Sequence, residues 1–214
     1  NALIADSSAL PEQLVKDVCA SAFDSAGQRC SAARVLFVQE DIADKVIAML
    51  TGAMNELIMG DPGLLSTDVG PVIDEASHKE LSEHAERMDR EAKLINKVTA
   101  TAGTEHGTFF EPRAYEIPRL DILHREVFGP VLNVMRMDDL DAAIEQANKS
   151  VFGNGAAIFT NNGRAAREFT MRVKAGMVGV NVGVPATMAM FPFTGWDDSF
   201  YGDLHIQGKE SIQF

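Results

Sequence analysis

Cysteine is scarce in this 214-residue sequence: Cys19 and Cys30 are the only two, with one tryptophan and two tyrosines. Two cysteines eleven residues apart do not make a disulfide framework of the secreted kind, which points to a reducing compartment, the cytoplasm. No stretch reaches the roughly 18 consecutive apolar residues of a membrane-spanning helix, and no basic segment followed by an apolar one opens the chain. Neither a membrane span nor a signal peptide is therefore readable. Basic residues are few, 19 against 31 acidic ones, and the net charge of −12 opposes the backbone electrostatics on which nucleic-acid binding relies. The five histidines, His78, His84, His106, His124 and His205, fall in no H-E-x-x-H pattern and there is no C-x-x-C. They are expected to be surface or satisfied core residues and not metal ligands. A phosphate-cradling loop is also missing, since Gly176–Gly183 lacks G-x-G-x-x-G and no G-x-x-x-x-G-K-[ST] occurs.

What is present is an alternation of apolar runs with amphipathic ones. Ala2–Ala5 and Arg34–Gln39 read as strands; Pro11–Phe23, Ile42–Leu57 and Glu75–Arg90 read as helices, with Pro11 suited to a first turn and the third helix charged on its outer side. Lys93–Ile95, Phe109–Tyr115, Val131–Met135, Ala156–Phe159 and Val178–Val182 read as strands, with helices at Leu140–Lys149 and Asn162–Val173. Short connections between alternating strands and helices predict an α/β fold in one domain, a mostly parallel sheet flanked by helices. Asn96–Gly107 reads as an exposed loop, and Pro185–Phe193, with Met188 and Met190, as core or loop packing. Asp138-Asp139 and Asp197-Asp198 read as solvated turns or helix starts.

Phe23-Asp24-Ser25-Ala26-Gly27-Gln28-Arg29-Cys30-Ser31-Ala32 sets a cysteine in a small-residue turn beside a cation. A thiol attacks carbonyls as its thiolate and needs a partly open, electropositive setting, which Arg29 and nearby N–H groups would supply. Cys30 is thus a candidate nucleophile, the competing reading being a small buried core residue. Cys19 lies among Leu14, Val15, Val18, Ala22 and Phe23 at helical spacing and reads as packing.

Gly27-Gln28-Arg29-Cys30 resembles the active-site cysteine motif of the aldehyde dehydrogenase superfamily. His124-Arg125-Glu126-Val127-Phe128-Gly129-Pro130-Val131 is similar to that family's E-x-F-G-P cofactor motif, and Phe152–Thr160 echoes a third. Up to about Pro130 the wording resembles the L-glutamate-γ-semialdehyde dehydrogenase part of bacterial proline-utilization proteins. From Val131 on, including Val178–Val182, Phe191–Trp196 and Gly202–His205, it resembles methylmalonate-semialdehyde dehydrogenase.

The resemblance implies the catalytic domain of an NAD- or NADP-dependent aldehyde dehydrogenase spanning residues 1–214. It further implies that the domain is incomplete at both ends and lacks the NAD-binding Rossmann domain, the general-base Glu and the Asn that supplies a side-chain oxyanion donor. Cys30 would form a thiohemiacetal with an aldehyde and then an acyl-enzyme, its backbone N–H holding the oxyanion. Glu126 would hold the nicotinamide-ribose hydroxyls and Phe128 would pack near the nicotinamide. Residues of the turn alone leave Glu126 equally readable as a surface residue and Phe128 as core. Ser31 would help bind a substrate carboxylate, as in the glutamate-semialdehyde enzymes, whereas Phe193, in a loop lining substrate access, belongs to the methylmalonate wording. The expected substrate is L-glutamate γ-semialdehyde, with a CoA-acylating methylmalonate-semialdehyde dehydrogenase as the alternative and a catalytically silent binding or assembly protein as another. A homo-oligomeric parent enzyme is implied as well.

Overall fold

The computed structural model describes residues 1–213. In chain order the strands are β1 (Ala2–Ala5), β2 (Val35–Gln39), β3 (Lys93–Lys97), β4 (Arg113–Glu116), β5 (Val131–Met137), β6 (Phe152–Gly153), β7 (Gly155–Phe159), β8 (Met177–Val180) and β9 (Trp196–Asp197). The helices are α1 (Pro11–Phe23), α2 (Glu40–Asn55), α3 (Glu75–Glu91), α4 (Leu140–Ala147) and α5 (Gly163–Arg172).

Seven strands form one sheet in the order β3-β4-β5-β2-β1-β7-β8, parallel throughout except for the antiparallel β3–β4 pair. The apolar runs explain this arrangement. Every residue of β7, and nearly every residue of β1, β2 and β5, is buried, as expected of parallel strands covered on both faces. Ile4 of β1 lies in register with Phe37 on one side and Ile158 on the other. Leu3, Ile4, Leu14, Phe23, Leu36, Phe37, Tyr115, Phe159 and Phe169 are among the fully buried side chains that fill the core.

Helix starts follow side-chain chemistry. Asp74 accepts from the Ser77 N–H at 2.7 Å, Asp139 from Ala142 at 2.8 Å and Asn162 from Arg164 at 2.9 Å, caps worth about 1 kcal/mol each. Pro11 occupies the first turn of α1, where its missing N–H costs no hydrogen bond.

Three expectations are corrected. The strand predicted over Phe109–Tyr115 begins only at Arg113: Pro112 has no N–H for a ladder, and its carbonyl instead accepts from Val98. The loop predicted over Asn96–Gly107 starts two residues late, because Asn96 and Lys97 extend β3; Val98 is buried and the following residues are mostly exposed. Pro185–Phe193 is no part of the core, for Met188, Met190 and Phe191 are each more than half exposed. The two-residue pair of β6 with β9 went unread because neither strand carries an apolar run.

Candidate active site

Helix α1 ends at Phe23 and the chain then turns left-handed for three residues, Ser25 (φ 56°), Ala26 (φ 53°) and Gly27 (φ 65°). Such a turn costs roughly 1–2 kcal/mol per non-glycine residue, and strain of this kind collects at functional sites. Glycine is required at 27, where a Cβ would stand 2.2 Å from the Gly129 carbonyl oxygen. That close approach brings the cysteine turn against the Glu126–Pro130 loop. Gln28 joins the two again, its Nε2 donating to the Phe128 carbonyl at 3.4 Å while its Oε1 accepts from the Ile73 N–H at 2.8 Å.

The turn leaves Cys30 exposed and Cys19 buried. Burial, reinforced by the Asp24 carboxylate, pushes the Cys19 thiol up to about 12, which removes its thiolate at neutral pH. The Cys30 carbonyl is held from two sides, accepting from Asn1 Nδ2 at 2.6 Å and from Asn154 Nδ2 at 2.9 Å. Asn1 also donates to the Ala32 carbonyl at 2.8 Å and accepts from the Gly155 N–H at 2.9 Å. The residue before β1 and the β6–β7 junction thereby fix the cysteine turn.

Arg29 does not play the part expected of it. Its Nη2 donates to the Ala20 and Ser21 carbonyls at 2.6 and 3.2 Å, so the guanidinium is tied to the C-terminal end of α1. The organising cation is Arg34, which is 7 % exposed. Arg34 Nη1 donates to the Gly27 carbonyl at 2.7 Å and to Gly129 at 3.1 Å, and Nη2 to Arg29 at 3.1 Å. Its Nε lies 3.7 Å from Glu126 Oε1, and its guanidinium carbon stands 5.1 Å from the centre of the Phe128 ring. Burial lowers the Arg34 pKa from its ordinary value, while the neighbouring Glu126 carboxylate acts the other way.

One guanidinium therefore meets Glu126 and Phe128 on the loop and holds the main chain of the turn that carries Cys30 and Ser31. Ser31 is half-buried beside the exposed thiol. Phe193 comes from farther along the chain. It precedes β9, whose Trp196 pairs with Gly153, the neighbour of the Asn154 that holds the Cys30 carbonyl. Sequence reasoning did not single out Arg34, Asn1 or Asn154. A lone cation in the otherwise apolar run Ala32–Val38 was the available signal for Arg34.

Glu126 and Phe128 are both about two-fifths exposed, a carboxylate and an aromatic ring presented by one loop, and they suit the ribose and nicotinamide of NAD(P). The neighbouring cavity, of about 60 Å³ and bordered by Glu80, His84, Arg125, Glu126 and Phe128, is far below the roughly 300–1,000 Å³ of ligand pockets. A dinucleotide does not fit inside it.

The model of the aldehyde dehydrogenase family matches residues 1–214. Malonate-semialdehyde dehydrogenase 2 of Geobacillus kaustophilus is 42 % identical over 204 residues, covering 94 % of this chain and 42 % of that protein. Malonate-semialdehyde dehydrogenase of Listeria monocytogenes is 43 % identical over 208 residues, with 95 % and 42 % covered. A structure from Sinorhizobium meliloti, assigned as a methylmalonate-semialdehyde dehydrogenase and complexed with NAD, superposes with a TM-score of 0.94 at 33 % identity, over 100 % of this chain and 45 % of that one. Proline utilization A of Bradyrhizobium japonicum superposes with a TM-score of 0.88 at 39 % identity, over 95 % of this chain and 21 % of that one. The chain thus spans less than half the length of these relatives. On its residues, its sheet and its cysteine turn alike, it belongs to the aldehyde dehydrogenase family.

Proposed function

We propose that residues 1–214 belong to the catalytic domain of an NAD(P)-dependent dehydrogenase that oxidises a semialdehyde to a carboxylic acid in the cytoplasm, in a homo-oligomeric parent enzyme. The observation that carries this reading is the exposed Cys30 thiol on a turn whose carbonyls are held by Arg34, Asn1 and Asn154. Cys30 Sγ adds to the aldehyde carbon, and the developing oxyanion is held by the Cys30 backbone N–H, a kind of donor worth about 3–4 kcal/mol. NAD(P), when bound, supplies the hydride acceptor. Glu126 would hold the ribose hydroxyls of that cofactor and Phe128 would pack beside its nicotinamide. The thioester left on Cys30 is then hydrolysed by water to the carboxylic acid or, in the alternative reading, passed to coenzyme A as an acyl-CoA with the thiol regenerated, the general base being supplied from outside these residues.

A substrate with a carboxylate at its far end is supported by the relatives, whose names include malonate- and methylmalonate-semialdehyde. Ser31 supports L-glutamate γ-semialdehyde as one member of that class, and Phe193 with its flanking segment supports the shorter methylmalonate type. Protection of Cys30 from iodoacetamide tests the reading. Glutamate, malonate and methylmalonate semialdehydes are each expected to slow alkylation more than propanal does at equal concentration, and the strongest protector names the substrate. Equal protection by all four, or none, would sink it and favour a silent binding protein. The chain by itself is expected to form NADH far below the usual 1–10³ per second, because a missing general base alone removes about 10²–10⁴-fold.

A further inference from the structure

We infer that Arg34 is the positioning residue that aims the Cys30 backbone N–H at the reacting carbonyl oxygen; this rests on the function proposed above. The argument begins with the peptide group between Arg29 and Cys30. It is planar and trans, so the Arg29 C=O and the Cys30 N–H point in opposite directions, and whatever holds the first directs the second. The Arg29 carbonyl accepts from Arg34 Nη2 at 3.1 Å and from the Ala32 N–H at 3.1 Å. The carbonyl is thus drawn inward to a buried guanidinium, and the Cys30 N–H faces the opposite, open side, where the thiol is exposed. That N–H donates to no protein acceptor among the described residues, which leaves it free for an oxyanion.

Arg34 can act as a fixed reference because the same guanidinium is anchored elsewhere. Nη1 bridges the Gly27 and Gly129 carbonyls, the Phe128 ring lies against its face, and Nε is buried without a hydrogen bond, 3.7 Å from Glu126. A lysine ammonium in its place is a point donor and cannot span three carbonyls in one plane. The next peptide, Cys30–Ser31, is held independently by Asn1 and Asn154. Arg34 therefore governs one peptide plane out of the two at the nucleophile, and that plane carries the oxyanion donor.

Two reagents separate this role from mere support of the fold. p-Nitrophenyl acetate acylates a thiolate by forming the S–C bond through a tetrahedral oxyanion, after which the C–O bond breaks and p-nitrophenolate departs with the electron pair. Iodoacetamide alkylates by displacement at a saturated carbon and forms no oxyanion. Both reactions need only the 214-residue chain, and stopped-flow release of p-nitrophenolate with mass-spectrometric assignment to Cys30 reads the first. In Arg34→Met the ratio of acylation to alkylation rates is expected to fall about tenfold or more, approaching the roughly 10²–10³ of a lost oxyanion donor, with alkylation itself within about twofold of wild type. Arg34→Lys is expected to fall between the two and carries the test if Arg34→Met does not fold. An unchanged ratio, a parallel fall in both rates, or failure of both variants to fold overturns the role assigned to Arg34. Wild-type chain that is alkylated but not acylated at Cys30 overturns the proposed function itself, a result distinguishable from any of those.

Discussion

Cys30 and Cys19 carry the same side chain, and eleven residues of sequence separate a solvent-facing thiol from one that burial holds protonated. Brief iodoacetamide treatment of the folded chain is accordingly expected to label Cys30 first, with Cys19 labelled at a comparable rate only after unfolding; mass-spectrometric mapping checks this, and early labelling at Cys19 would reverse the assignment. The contrast was legible beforehand, because Cys19 repeats with Leu14, Val15, Val18 and Ala22 at helical spacing whereas Cys30 follows a glycine turn. The side chains that hold Cys30 in place were not. Arg34, Asn1 and Asn154 act on main-chain carbonyls, and such contacts depend on where the sheet places each residue, so no local pattern announces them. Arg29, adjacent in sequence, was the natural guess for the cation at the site, and α1 claims it instead.

Among the elements, α3 shows how far periodicity reaches. Leu81, His84, Ala85 and Met88 recur at the spacing of one helical face and all are buried. The pattern locates His84 inside but is silent on its protonation. In the structure Arg87 Nη2 stands 3.4 Å from His84 Nδ1, and Nε2 is buried without a partner. Burial first, then the cations of Arg87, Arg125 and Arg113, pull its pKa from 6.5 down to about 4. The unfolded chain therefore binds this proton more tightly than the folded one. Stability is full above pH 6.5 and declines as the pH falls from there to about 4, by roughly 1–2 kcal/mol once partial solvent screening is allowed for. Urea unfolding midpoints measured over that range are expected to fall with pH, and His84→Gln is expected to flatten the slope; an unaltered slope in the variant would assign the dependence to another group. The long elements were legible to within a few residues because each carries a sustained apolar period. β6 and β9 were not, since two-residue strands have no period to read.

At the scale of the molecule, the alternation of strands and helices was enough to anticipate a mostly parallel sheet, while the strand order was not readable, because it depends on pairings across more than a hundred residues. β8 at one edge exposes Val178 and Val180, and beyond it Val182, Met188, Met190, Phe191, Trp196, Tyr201 and Ile206 are exposed as well. Apolar surface next to an open sheet edge invites association. The 214-residue chain is expected to self-associate, seen as a rise in scattering mass across a concentration series; a monomer at all concentrations would show that this surface is tolerated in water. The position of β1 has a different consequence, one of time. β1 is synthesised about 150 residues ahead of β7, which ends at Phe159 and pairs along its far side. At about 5–20 residues per second, roughly 8–32 s pass in which its strand edge stays bare, a long wait beside the microseconds in which hairpins close. Strand order alone therefore leaves the nascent chain with an edge open to chaperones, and its yield is expected to change with the rate of translation between β2 and β7.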